Sequence, residues 1–381
     1  MGNIQKRPDG RWRARYRDPS GRERAKHFDR KIDATRWLAQ VEIAKSRGEW
    51  IDPNLGKITV RVWAETWLGG LAHLKPSTRE RYEVAVRCHV LPTWENVPLS
   101  RITHGDVVTW VQRLADRQLA PATIRYAHRV FSLMLDLAVK DGRLPSNPAS
   151  GIRLPRVVRS ELRFLTVEEV NRLAEACGSY RLLVLVLAYT GLRWGELAAL
   201  RVRRVDLARR RILVVEATAE VAGKLVVGTP KNHQRRSVPV PRFLLGQLAE
   251  HIAGRGPDDL VFTAPGGGFL RNTNFRHRFF GPATIAVGLV GLTPHDLRHT
   301  AASLAVAAGG NVKAVQRMLG HASAAMTLDV YAGLFGDDLD TLADQLDEMH
   351  RAGTADSVRT DQGNEGPEEE DPGTETGADL R

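Results

Sequence analysis

In residues 11–17 every second position is arginine, and the positions between hold Trp12, Ala14 and Tyr16. Only an extended strand sends alternate residues to opposite faces, so this stretch must be a strand with Arg11, Arg13, Arg15 and Arg17 on one side. Asp18-Pro19-Ser20-Gly21 is a turn, after which residues 22–28 return as a second strand. Residues 3–7, closed by Pro8-Asp9-Gly10, supply a third. The period then changes: across residues 32–48, Trp37, Leu38, Val41 and Ala44 fall on one side of a helix. Residues 1–55 therefore form a sheet-and-helix unit. Four like charges along one strand repel each other, which a phosphate backbone would relieve, although a charged face can also serve only solubility.

Residues 56–148 keep the helical period throughout. Segments 60–68, 78–91, 106–117 and 121–140 read as four helices. Ser77 with Glu80 suggests a capping box for the second, Thr103 with Asp106 three residues on an N-cap for the third, and Gly142 closes the fourth. In that last helix Ile124, Ala127, Phe131, Leu135 and Ala138 recur every three or four residues. Arg79, Arg81, Arg87, Arg125 and Arg129 fall on polar faces, and Arg79 and Arg125 are taken as candidates for nucleic-acid contact. Nothing in this bundle carries chemistry. The prolines and arginines that follow mark residues 149–162 as an extended basic linker.

Residues 163–350 hold the groups that can do chemistry. Thr166 and Glu169 form a capping box for a helix that ends before Gly178, and residues 181–189 are apolar enough for a buried helix. Thr-Gly-Leu-Arg-Trp-Gly-Glu-Leu follows, with Arg193 and Glu196 three apart. Strands at 211–216, 224–227 and 237–240 suggest a small antiparallel sheet, and Lys231 lies on the turn between the last two. His295 and Arg298 share a helix face, and Pro294 suits the opening of that helix. Gly309-Gly310 breaks the chain, a helix over 312–319 stops at Gly320, His321 comes next, and Tyr331 stands ten residues on. Any one of these residues alone is explained by packed helices with solvated polar side chains.

Together, TGLRWGEL, HDLRHT, LGHA and the spaced tyrosine resemble the signature of the tyrosine recombinases, the phage-integrase family. The resemblance covers nearly the whole chain. It implies a multidomain, mainly α fold with small antiparallel β-sheets: an arm-type DNA-binding domain at the N-terminus, a helical core-binding bundle and a mixed α+β catalytic domain. It implies Arg193, Lys231, His295, Arg298, His321 and Tyr331 as the catalytic set. Lys224 is the competitor for the lysine, and His321 stands where some members carry Trp. Tyr331 would attack a phosphodiester to form a 3′-phosphotyrosyl bond, with Lys231 protonating the departing 5′-hydroxyl. The residue types suit that chemistry. Arginine forks are permanent donors for oxygens that gain charge, histidines donate hydrogen bonds and move protons, and a phenol is a weak nucleophile until such a pocket activates it.

The resemblance also implies double-stranded attachment-site DNA as partner, a homo-tetramer on that DNA, and host DNA-bending and excision factors. Leu339, Leu342, Leu346 and Met349 make a one-sided helix that could dock on its own domain or on a neighbouring protomer. A tyrosine-dependent topoisomerase and a DNA-binding accessory protein with a decayed site are the alternatives. Composition agrees with a polyanionic partner: 55 Lys and Arg against 44 Asp and Glu, a net charge of +11. Residues 351–381 are polar and acidic and read as a disordered tail. Two distant cysteines, a polar start and no long apolar run point to the cytoplasm and no membrane. There is no Gly-rich lysine loop for nucleotide phosphates and no metal-ligand spacing, so neither cofactor nor metal is expected.

Overall fold

The computed structural model describes residues 2–48, 50–158, 162–230, 235–334, 343–344 and 346–351. They form two units, Met1–Glu161 with Ala219–Val226, and Leu162–Thr218 with Val227–Arg381. In the first unit β1 (Asn3–Lys6), β2 (Trp12–Arg17) and β3 (Glu23–Phe28) make an antiparallel sheet in that order. The alternation read from sequence sets its faces: Ala14 and Tyr16 are buried, under α1 (Lys31–Ser46). Trp37 of that helix lies 5.5 Å from the rings of both Tyr16 and Phe28. Repulsion along the arginine row is partly answered within the unit. Arg13 and Arg15 lie 3.7 and 3.6 Å from Glu23, and Arg11 lies 3.3 Å from Asp29.

The bundle comprises α2 (Val60–Gly69), α3 (Pro76–Ala85), α4 (Leu91–Trp94), α5 (His104–Asp116) and α6 (Pro121–Lys140). Its core is aromatic: Trp94 and Trp110 lie 5.3 and 5.2 Å from Phe131. The buried indole N–H of Trp63 donates to Met134 O at 2.9 Å, which removes the penalty of hiding it. The five apolar residues expected on the inner face of α6 are all buried, and the Thr103–Asp106 capping box is present. The Ser77–Glu80 box is not. Proline lacks an N–H and is best placed first in a helix, so α3 opens at Pro76 and Ser77 falls inside the first turn. Glu80 instead accepts the N–H of Ala222. A π-helical stretch, Val86–Val90, then carries the helix past residue 91 to Trp94. Ala149, expected in the linker, is buried; Ile152 and Leu154 pack on the same core.

The second unit begins with α7 (Val167–Ala176), α8 (Arg181–Thr190) and α9 (Trp194–Ala198), the first opened by the expected Thr166–Glu169 box. β4 (Val205–Asp206), β5 (Arg211–Val214) and β8 (Arg236–Pro239) follow in this unit, whereas β6 (Ala217–Val221) and β7 (Lys224–Gly228) lie mostly within Ala219–Val226 and so belong largely to the first unit. Here the strand pairing differs from the expected sheet. β5 pairs with β4 on one side and β8 on the other, while among the described residues β7 pairs only with β6. Ala222 and Gly223, both at positive φ, form a tight two-residue turn that ties β7 to the preceding strand.

Where the pattern singles out no element, α10 (Arg242–Ile252), α11 (Asn272–Phe275) and α12 (Gly281–Ala286) fill the chain. α13 (Asp296–Ala307), α14 (Val312–Leu319) and α15 (Ala324–Tyr331) close it. Pro294 lies just before the N-cap rather than in the first turn. The entrance to α13 is held by Thr293, whose N–H and hydroxyl both reach Asp296 at 2.7 Å. Apolar α8 is buried against α7 and α13, with Leu183, Leu187, Leu297 and Ala301 inside. Residues 346–351 are helical, and Leu346 and Met349 are exposed. Lys231, Leu339, Leu342 and the tail from residue 352 lie outside the described residues. Among those described, no helix is long and apolar enough to cross a membrane.

Candidate active site

The C-terminal end of α14 is where the site is assembled. The last carbonyls of a helix have no partner within it and carry the negative end of its dipole. Here the Gln316 and Arg317 carbonyls accept backbone N–H groups of Gly320 and His321, and the next three each meet an arginine from a different part of the chain. Arg236 Nε donates to Met318 O at 3.1 Å, Arg298 donates to Leu319 O at 2.5 Å, and Arg193 donates to Gly320 O at 3.4 Å. Arg298 also reaches the carbonyl of Gly191, at the end of α8, at 2.5 Å. Both glycines sit in the left-handed region, with φ of +64° and +66°. A side chain at 320 would press on Arg236, since an added Cβ would stand 2.7 Å from its Cδ.

One buried carboxylate organises these cations. Glu196 takes both terminal nitrogens of Arg236, at 2.8 and 2.6 Å, and one of Arg193 at 2.9 Å. It also accepts the backbone N–H of Arg193 at 2.9 Å. Its side chain is 1% exposed, that of Arg236 10% and that of Arg193 23%. Burial disfavours the Glu196 carboxylate, yet hydrogen bonds and charge from Arg236, then Arg193, hold its pKa below the ordinary value. Burial, then the charge of Arg193, lowers the Arg298 pKa to about 9, still protonated at neutral pH. Three guanidiniums around one carboxylate leave net positive charge beside a pocket of about 420 Å³. Arg193, Arg235, Arg236, Arg317 and His321 line it, a volume and charge that suit a phosphodiester.

Tyr331, the last residue of α15, is buried, and its hydroxyl lies 2.8 Å from Nδ1 of His299. Burial raises the phenol's pKa, and the charge of Arg298 opposes this. The His321 ring stacks parallel to that of Tyr331 at 6.3 Å, and its Nδ1 lies 3.0 Å from the Thr327 hydroxyl. Burial first, then Arg298, Arg193 and Arg236, lower the His321 pKa to about 4. His295 is exposed at the N-cap of α13, its ring 5.1 Å from that of His299. The fold thus draws together five of the six expected residues: Arg193, His295, Arg298, His321 and Tyr331. Lys231 lies outside the described residues, and its neighbour Pro230 lines the pocket.

Two residues of the site escape a reading of the sequence. His299 is in the HDLRHT segment, one helical turn after His295, and that spacing was the available signal. Arg236 stands in a run of polar residues with nothing to mark it out, and only folding brings it to Glu196. Of the candidate nucleic-acid contacts, Arg11, Arg17, Arg79 and Arg125 are exposed, and Arg13 and Arg15 partly so.

Comparison with known proteins points the same way. The tyrosine recombinase XerC of Serratia marcescens is 31% identical over 287 residues, covering 66% of this chain and 89% of its own. The chain belongs to the tyrosine recombinases. The phage integrase family profile matches residues 163–335, the phage integrase N-terminal domain residues 1–47, and the phage integrase N-terminal SAM-like domain residues 59–115. The integrase of Mycobacterium phage D29 is 28% identical over 348 residues, 86% of this chain and 91% of that one.

Two solved structures share the recombinase's fold. The Tn1549 transposon integrase in complex with a circular intermediate DNA has a TM-score of 0.65 at 22% identity, over 76% of this chain and 99% of its own. A lambda integrase tetramer bound to a Holliday junction has a TM-score of 0.55 at 21% identity, over 84% and 96%. As a member of the family shown by the XerC relative, the recombinase is an enzyme that breaks and rejoins DNA strands at specific sites.

Proposed function

We propose that this recombinase cuts DNA with Tyr331 and holds the cleaved strand as a 3′-phosphotyrosyl bond. It then rejoins that strand to a partner, integrating or excising a phage or other mobile element. The observation that carries this is the convergence of Tyr331, His321, Arg193 and Arg298 from separate segments onto the end of α14. Each arginine uses two of its five donors on protein atoms, which leaves others for the non-bridging oxygens of the phosphate. His295 and His321 add donors at the rim. Lys231 follows Pro230 of the pocket wall and protonates the 5′-oxygen as it departs, so that it leaves as the 5′-hydroxyl. The new phosphotyrosyl bond conserves the energy of the broken one, so rejoining needs no external energy source.

The arginine face of β2 and the exposed arginines of α3 and α6 hold the duplex away from the cut, within the cytoplasm. Integrase relatives have been seen on DNA and as a tetramer, and the same assembly is proposed here. A largely apolar groove of about 580 Å³ is lined by Val167, Tyr189, Phe243, Leu304 and Met318 together with Arg210 and Arg211. The exposed Leu346 and Met349 of a neighbouring subunit, flanked by Asp344, Asp347 and Glu348, match it in character and charge.

The test uses nicked duplexes tiled across the DNA flanking the gene, resolved on denaturing gels. A nick beside the scissile phosphate lets the short 5′-hydroxyl fragment escape and traps the covalent species. A protein–DNA band that disappears with Tyr331→Phe, while DNA binding persists, is the expected result. Relaxation of supercoiled plasmids lacking any such site would instead favour a topoisomerase.

A further inference from the structure

The hydroxyl of Tyr331 faces a proton acceptor that the expected catalytic set does not contain. His299 Nδ1 is 2.8 Å from that oxygen, and the two rings lie 5.7 Å apart and tilted, so the contact runs along the ring edge. His299 is half-buried on α13. The groups that face it are His295, Asp296 and Arg298 on its own helix, Tyr331 from α15, and His321 from the loop between α14 and α15. Burial first, then the charge of His295, favours the neutral ring, while Asp296 opposes them. A neutral imidazole with its proton on Nε2 presents a lone pair at Nδ1, directly on the nucleophile.

Resting on the reading of Tyr331 as nucleophile, we propose that His299 is the general base that takes the phenolic proton. As the phenol oxygen forms its bond to phosphorus, the O–H bond breaks and the proton passes to Nδ1. The P–O5′ bond breaks at the same centre, and the departing oxygen receives a proton from a separate acid. On rejoining, a 5′-hydroxyl gives its proton back to the conjugate base of that acid and attacks phosphorus, the P–O bond to Tyr331 breaks, and His299 returns the proton to the leaving phenolate. Charge on the imidazolium is transient, with Asp296 nearby to stabilise it.

The experiment measures single-turnover formation of the covalent complex on the trapped nicked duplex, with DNA binding measured alongside. General-base help is typically worth ~100-fold or more, so His299→Ala should slow cleavage by about that factor at unchanged DNA affinity. His299→Asn keeps a hydrogen-bonding group near the phenol but cannot carry a proton away, and it should be as slow as the alanine variant. Replacing Tyr331 with a ring-fluorinated tyrosine that ionises near neutral pH should remove most of the alanine variant's defect, because the base is then hardly needed. A His299→Asn rate close to wild type would reduce His299 to a positioning residue and overturn the proposal. A defect untouched by fluorination but cured by a 5′-bridging phosphorothioate would overturn it too, since His299 would then serve the leaving group. If Tyr331→Phe still forms the adduct, the underlying nucleophile assignment fails. If the Phe variant is inert while His299 variants cleave normally, only this proposal does.

Discussion

Glu196→Gln changes no shape and removes one charge from the centre of the arginine cluster. The wild-type carboxylate is 1% exposed and takes four hydrogen bonds, two from the fork of an Arg236 that is itself 10% exposed. At a separation of ~4 Å and an effective dielectric constant of ~20, one such pair interacts by roughly 4 kcal/mol. Removing one partner of a buried pair strands the other and costs about 3–5 kcal/mol. Arg193 is more exposed and adds less. A loss of ~4 kcal/mol in a unit of this size lowers Tm by roughly 8–16 °C.

Calorimetry should show that drop at pH 7. The pH dependence should change as well. Glu196 ionises below its ordinary 4.5 in the folded state, so its stabilisation is fully present above that value and lost as pH falls through the lower folded pKa. The wild-type protein should therefore lose its advantage over Glu196→Gln below about pH 4.5, with the two melting curves converging. A Tm shift under ~3 °C at pH 7 would mean the cluster is solvated enough to do without its anion.

Gly320→Ala should cost at least ~1–2 kcal/mol from the left-handed backbone alone. By displacing Arg236 it should also slow covalent-complex formation, measured on the nicked duplex. Thr103→Ala removes a formed capping box and should lower stability by ~1 kcal/mol in urea unfolding without altering the cleavage rate of bound substrate. Arg15→Ala should weaken DNA binding evenly across sequences and reduce the slope of log K against log salt by ~1; an unchanged slope would mean the β2 face meets no phosphate.

The sequence alone was enough where a single periodicity or a local cap decides the outcome. The strand at Arg11–Arg17, α6, α14 and the Thr103 and Thr166 caps depend on residues within a few positions of one another. The catalytic signature is legible for a related reason: each of its pieces is a short local motif. Pairing of β7 was not legible, because period two says that a strand exists and not which neighbour it finds. The turn at Ala222-Gly223 made that choice. At Ser77 a capping pattern lost to an adjacent proline, which starts a helix without needing a side-chain cap.

Residue identity determined which groups could handle a phosphate: permanent guanidinium charges, titratable imidazoles and one phenol. The tertiary structure decided which of them act together. The end of α14 offers carbonyls that its own helix cannot satisfy, and Arg193, Arg236 and Arg298 arrive from far apart in the chain to pair with them. Glu196 keeps its negative charge only because that convergence outweighs its burial. Tyr331 meets His299 only because α15 folds back on α13. Charge and chemistry belong to single residues, whereas desolvation and distance belong to the fold, and it is these that turn the residues into a site.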